Sequence, residues 1–129
     1  MLDMFSSFLI MSSDEDQPIV QDLEVGFDSR INLTVGIYQT DYEEPECNCS
    51  SWITVKQSDA RRMARRHKVK YEDLPHFIGE CMKEWAYIIN PSFTQIGDCF
   101  KEIMESLLDE GCRFGGHHKY GKYGVKAYR

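Results

Sequence analysis

With 129 residues, 42% of them hydrophobic, and a formal net charge of −6, the chain suits one domain that buries roughly two-thirds of its unfolded surface without disulfides or a metal. The acidic balance excludes indiscriminate binding of nucleic acid or anionic membrane by the whole surface, so any such binding has to be local. Five cysteines cannot close a full set of disulfides within one chain, and with no export signal ahead of them the thiols are expected to be reduced and the protein cytoplasmic.

The charges come in blocks. Residues 1–55 hold eleven acids and a single base, Arg30. Residues 56–70 hold Lys56, Arg61, Arg62, Arg65, Arg66, Lys68 and Lys70 against Asp59 alone. Residues 71–112 return to nine acids and two bases, and 113–129 carry five bases and no acid. Such sorting can present cationic and anionic surfaces on one molecule.

In chain order, Met1–Met11 contains Phe5, Phe8, Leu9 and Ile10 but lacks a basic flank and falls short of the roughly 20 apolar residues that span a bilayer. It reads as an unstructured leader, with Met1, Met4 or Met11 as the start. Residues 11–29 are polar and acidic without a sustained period, so 1–29 are expected to be a flexible acidic arm and 30–129 a single domain. From Arg30 to Gln39, Ile31, Leu33, Val35 and Ile37 alternate with polar or small residues, which predicts a strand. The acidic loop Thr40–Ser51 then leads to a second, short strand at Trp52–Lys56, paired antiparallel with the first.

Ser58 is the expected N-cap of a short basic helix over Asp59–His67, with Ala60, Met63, Ala64 and His67 inward and four arginines outward. Leu74, Phe77, Ile78, Cys81, Met82, Trp85 and Ile88 recur at three and four, which predicts a long amphipathic helix ended by Asn90-Pro91. Ser92 caps a second long helix marked by Phe93, Ile96, Phe100, Ile103, Met104, Leu107 and Leu108 and stopped by Gly111. After Gly115-Gly116, Tyr123, Val125 and Ala127 can share one face of a final strand. The expected fold is α+β: about three antiparallel strands packed against two long amphipathic helices and one short basic helix.

Several constellations could carry chemistry. Cys47, Cys49, Cys112, His117 and His118 supply enough thiolates and imidazoles for tetrahedral zinc, although no Cys-x2-Cys pair is present, and no cofactor is assigned. The basic helix and its successor resemble helix-turn-helix DNA readers at Ala64, Val69, Leu74 and Ile78, but Lys68 stands at the usual turn glycine. Pro75 interrupts the reading helix, and Glu72, Asp73 and Glu80 would face phosphates. Cys112 with His117 or His118 is the only local nucleophile–base pairing. No glycine-rich phosphate loop, paired carboxylate site or helical His-x3-His supports an enzyme, so none is expected.

Two binding readings follow. Asp41, Glu43, Glu44 and Glu46 display carboxylates suited to a basic protein surface, such as that of a nucleic-acid-handling complex. Short, acidic, motif-poor chains are common among accessory and host-takeover proteins of mobile genetic elements, so the leading expectation is a non-enzymatic interaction protein, an accessory or inhibitor. The alternative is single-stranded DNA or RNA binding, with Arg61, Arg62, Arg65 and Arg66 holding phosphates and Lys119, Tyr120, Lys122 and Tyr123 stacking bases. Opposite-signed blocks also allow a homodimer, and no membrane partner is expected.

Overall fold

A computed structural model of the chain describes residues 5–120 and 125–128. Six strands, β1 (Phe5–Ser12), β2 (Ile19–Phe27), β3 (Leu33–Asp41), β4 (Cys49–Val55), β5 (Phe114–Tyr120) and β6 (Val125–Tyr128), form one sheet in sequence order. Every neighbouring pair is antiparallel. Between β4 and β5 run three helices, α1 (Gln57–Arg66), α2 (Leu74–Cys81) and α3 (Phe93–Asp109). No helix among the described residues is long and apolar enough to cross a membrane.

The α+β class stands, but the sheet of about three strands is corrected: five strands of seven to nine residues are joined by a four-residue sixth. Two of the additional strands come from the segment expected to be a flexible arm or leader. There Val20, Leu23, Val25 and Phe27 are buried, and β2 pairs with β3 over its whole length. The acids among them concealed the pattern: Asp22 and Glu24 alternate with Leu23 and Val25 and point to the opposite face. Ile10 and Met11 of β1 are buried as well, with register shifts between Phe5 and Phe8 and between Leu9 and Met11 breaking the period. At the other end, one expected strand is two. β5 runs through Gly115 and Gly116, which lie opposite Thr54 and Ile53 of β4, and Tyr123 lies outside the described residues.

The β3–β4 pairing forms as expected, with Val35 opposite Ile53 and Thr34 opposite Thr54. Ile31, however, turns away, 53% exposed and at φ 63°, in the turn closed by the Asp28 carboxylate. Leu23, Val25, Leu33, Val35, Ile53 and Val55 meet Met63, Leu74, Ile78, Ile96, Ile103 and Leu107 in one core. Full burial of each such side chain contributes about 1.5–3 kcal/mol.

α3 begins and ends as its sequence predicts, although Phe93 and Leu108 of the expected buried stripe are exposed. Ser92 accepts from Gln95 N at 3.1 Å while Gln95 Oε1 accepts from Ser92 N at 2.8 Å, and Gly111 leaves the helix at φ 81°. α2 is only eight residues, not a long helix. After Met82 the backbone tightens into i→i+3 bonds, Trp85 N to Met82 O and Ala86 N to Lys83 O, and Trp85 Nε1 donates to Glu102 Oε2 of α3 at 2.6 Å. α1 begins at Gln57 with Lys56 as its N-cap and no side-chain cap, so Ser58 lies within the first turn.

Candidate interaction surfaces at the two ends of the sheet

Because the strands form a simple meander, the turns at 13–18 and 42–48 lie at one end of the sheet, whereas the turn at 28–32 and the start of α1 lie at the other. Asp41, the last residue of β3, accepts from Glu43 N and Glu44 N, each at 3.0 Å, and Asn48 Oδ1 accepts from Asp41 N at 2.7 Å. Asp41 therefore shapes the loop, while Glu43, Glu44 and Glu46 stand exposed on it. In the first turn Asp14 Oδ1 accepts from Asp16 N at 3.0 Å, and Tyr42 N donates to Pro18 O at 2.9 Å, which ties the two turns together. The result is an acidic end bearing Asp14, Glu15, Asp16, Glu43, Glu44 and Glu46, none of them in an ion pair among the described residues. The first three were read only as part of an arm; the signal that could have found them is the Asp-x-x-Gln-Pro turn between two apolar stretches.

The arginines of α1 divide by task. Arg62 bonds to Asp59 Oδ1 at 3.3 Å and donates to Gly111 O at 3.1 Å. Arg66 donates to Glu110 O at 3.3 Å and pairs with the Glu110 carboxylate, which also takes His67 Nε2. These two guanidiniums thus close the carboxyl end of α3, where unpaired carbonyls and the helix dipole favour positive charge. His67, and after it Arg66, holds the Glu110 carboxyl below the usual carboxylate range. Arg61 donates to Gln57 Oε1 at 3.2 Å and lies over the Tyr71 ring, 4.2 Å from its centroid. Arg65 is exposed and makes no ion pair among the described residues. Replacing Arg62 and Arg66 together by alanine is therefore expected to lower Tm by about 2–5 °C, whereas Arg61 and Arg65 should change it by less than about 2 °C; thermal melts by circular dichroism check this.

The expected nucleic-acid surface is not brought together. Tyr120 lies opposite Cys49, the first residue of β4, whereas α1 starts two residues after β4 ends. The length of a seven-residue strand, about 20 Å, separates them. Lys119 and Tyr120 sit at the acidic end, with Tyr120 packed edge-on against His118; Lys122 and Tyr123 lie outside the described residues.

The zinc set does not assemble either. Cys112 is buried below the start of β5, far along the strand from Cys49. His117 and His118 point to opposite faces: His117 stacks on Trp52 with centroids 5.4 Å apart, and His118 Nδ1 bonds to Ser51 Oγ. Neither histidine bonds to Cys112, since His117 stacks on Trp52 and His118 bonds to Ser51, and burial pushes the Cys112 thiol up. Cys47 Sγ donates to Glu44 Oε2 at 3.5 Å, which raises that thiol's pKa and keeps it protonated. All five cysteines are free.

On the face away from the helices, Tyr38 and Trp52 are buried outside the main core, with the Tyr38 hydroxyl lying over Gly36. Glu24, opposite Gly36, has its carboxyl raised by burial and by Asp22, while burial and then Glu24 push the Tyr38 phenol up. Comparison with protein-family models, curated proteins and solved structures finds no match for this chain.

Proposed function

We propose that this is a non-enzymatic interaction protein that engages a basic protein surface, such as that of a nucleic-acid-handling complex, through the acidic end of its sheet. The supporting observation is the joining of the two turns by Tyr42 and Pro18, which gathers six exposed or half-exposed carboxylates from distant parts of the chain, none of them in an ion pair among the described residues. Carboxylates held on short, hydrogen-bonded turns lose little freedom on binding and speed encounter with an oppositely charged surface. The small acidic chain fits an accessory or inhibitor role of the kind mobile genetic elements use, and five free thiols fit a reducing cytoplasm. Arg30, Lys56 and α1 give the other end of the sheet the opposite charge, so a second copy is one source of a basic surface, which native mass spectrometry reports directly.

Immobilised protein should retain a protein partner from lysate at low ionic strength and release it as salt rises. Changing Glu43, Glu44 and Glu46 together to lysine should weaken that capture at least about tenfold while leaving Tm within about 2 °C, because all three side chains are exposed. Retention of no protein partner at any salt concentration would overturn the proposal. Direct single-strand binding is the weaker reading, since Arg62 and Arg66 already serve α3.

A further inference from the structure

Beside the acidic end, the β1–β2 turn and the start of α3 enclose an open cleft of about 310 Å³. The β1–β2 turn lines it with Ser13, Asp14, Pro18 and Ile19, and the start of α3 with Pro91 and Phe93. Ser13 Oγ is occupied by Gln21 N at 2.8 Å and Ser92 Oγ by Gln95 N at 3.1 Å. The Asp14 carboxylate and the Gln17 amide are the remaining polar side chains of the lining, and Pro18, Ile19, Pro91 and Phe93 present carbon to an occupant. Phe93 is 44% exposed although it stands at the head of the apolar stripe of α3, and the segment leading to Pro91 leaves Tyr87 and Ile89 more than four-fifths exposed. Of these only Phe93 lines the cleft, and an apolar wall left open beside exposed side chains marks a surface that meets something.

The charge around the cleft decides what. Asp14 lies in its wall, Glu15 and Asp16 follow on the same turn, and the 42–48 loop with Glu43, Glu44 and Glu46 is held to Pro18 through Tyr42. The α3 amino end contributes about half a positive charge, which these carboxylates outweigh. A neutral or acidic apolar segment gains nothing from this rim, whereas one flanked by cations gains at every rim carboxylate. We infer that the cleft receives an apolar side chain from a lysine- or arginine-rich protein segment, the flanking cations resting on the 14–16 and 43–46 carboxylates. This rests on the proposed function and adds what charge alone lacks, a fixed point that sets register on the partner.

The test uses two short fluorescein-labelled Lys/Arg peptides, one with a central leucine and its twin with serine, titrated with the full chain at low ionic strength and read by anisotropy. The leucine peptide should bind about tenfold or more tightly than its twin, and Phe93→Ala should abolish that difference while both peptides retain the weaker binding. The Glu43, Glu44 and Glu46 reversal should weaken both peptides alike. Ile19→Ala serves as a second variant from the β1–β2 turn, with Tm confirming that each variant folds. Equal binding of the twins, or a leucine preference that survives both Phe93→Ala and Ile19→Ala, overturns the cleft and leaves the acidic end standing. Failure of both peptides to bind overturns the two together, and a Phe93-dependent dimer in native mass spectrometry would give the cleft to a second copy and overturn the peptide assignment.

Discussion

Asp59→Asn is expected to lower Tm by roughly 10 °C at neutral pH, the largest loss from any single charged position. Asp59 is 1% exposed, and its carboxylate joins the first turn of α1 to the start of β5. Oδ2 accepts from Arg113 N at 3.0 Å and from Arg113 Nε at 2.9 Å, and Oδ1 accepts from Arg113 Nη2 at 3.2 Å and from Arg62 Nη1 at 3.3 Å. Asparagine can keep one oxygen acceptor, but it places an amide donor where the others meet donors. The Arg113 guanidinium, followed by its backbone N–H, holds the Asp59 carboxyl well below the usual carboxylate range despite burial. A depressed carboxylate contributes stability above its unfolded pKa of about 3.9 and loses it as pH falls toward the folded value. The Tm gap between the parent protein and Asp59→Asn should therefore be flat from about pH 8 to 5 and narrow below about pH 4. A gap that widens in acid, measured by thermal melts across that range, would contradict this.

Gly36→Ala is expected to cost about 1–3 kcal/mol through overpacking. A Cβ at this position would lie 2.6 Å from Trp52 Cβ and 3.0 Å from both Ser51 O and the Tyr38 hydroxyl. Two of those atoms are backbone or next to it and move only if β4 moves, so rotamer changes offer no relief. Gly97, on α3, has nothing within 4 Å of where a Cβ would stand, and Gly97→Ala should stabilise by about 0.5–1 kcal/mol through the unfolded chain and helix propensity. Urea titrations of the pair should shift in opposite directions; a shared direction would mean the two glycines are not distinguished by the room around them.

How far the chain could be read depended on whether the period was local. Leu33, Val35 and Ile37 alternate cleanly, and Ser92, Gln95 and Gly111 bracket α3, so those elements were legible. β1 and β2 were not, because register shifts break one and Asp22 and Glu24 make the other look acidic rather than alternating. Trp85 and Ile88 keep a helical spacing while the backbone winds into a tighter turn, so the spacing predicts a longer α2 than the chain forms. At the candidate surfaces, the exposed glutamates of the 42–48 loop were found from composition alone. Their joining to Asp14, Glu15 and Asp16 depends on a backbone bond between residues 24 positions apart, which no local pattern carries. Apart from Asp59 beside Arg62, the acceptors that take Arg62 and Arg66 out of a free patch are the Gly111 and Glu110 carbonyls and the Glu110 carboxylate, at the far end of another helix.

The strand order also sets where closing the chain costs most. β1 through β4 are linked by short turns, so each can pair with a strand just made, whereas β5 reaches β4 only after residues 56–113 have been brought back. Lys56 N to Arg113 O, at 2.8 Å, and the Asp59 carboxylate sit at the mouth of that long excursion. They fasten its two stems where closure is entropically most demanding, so the helical layer is a stitched insertion in a ribbon of hairpins.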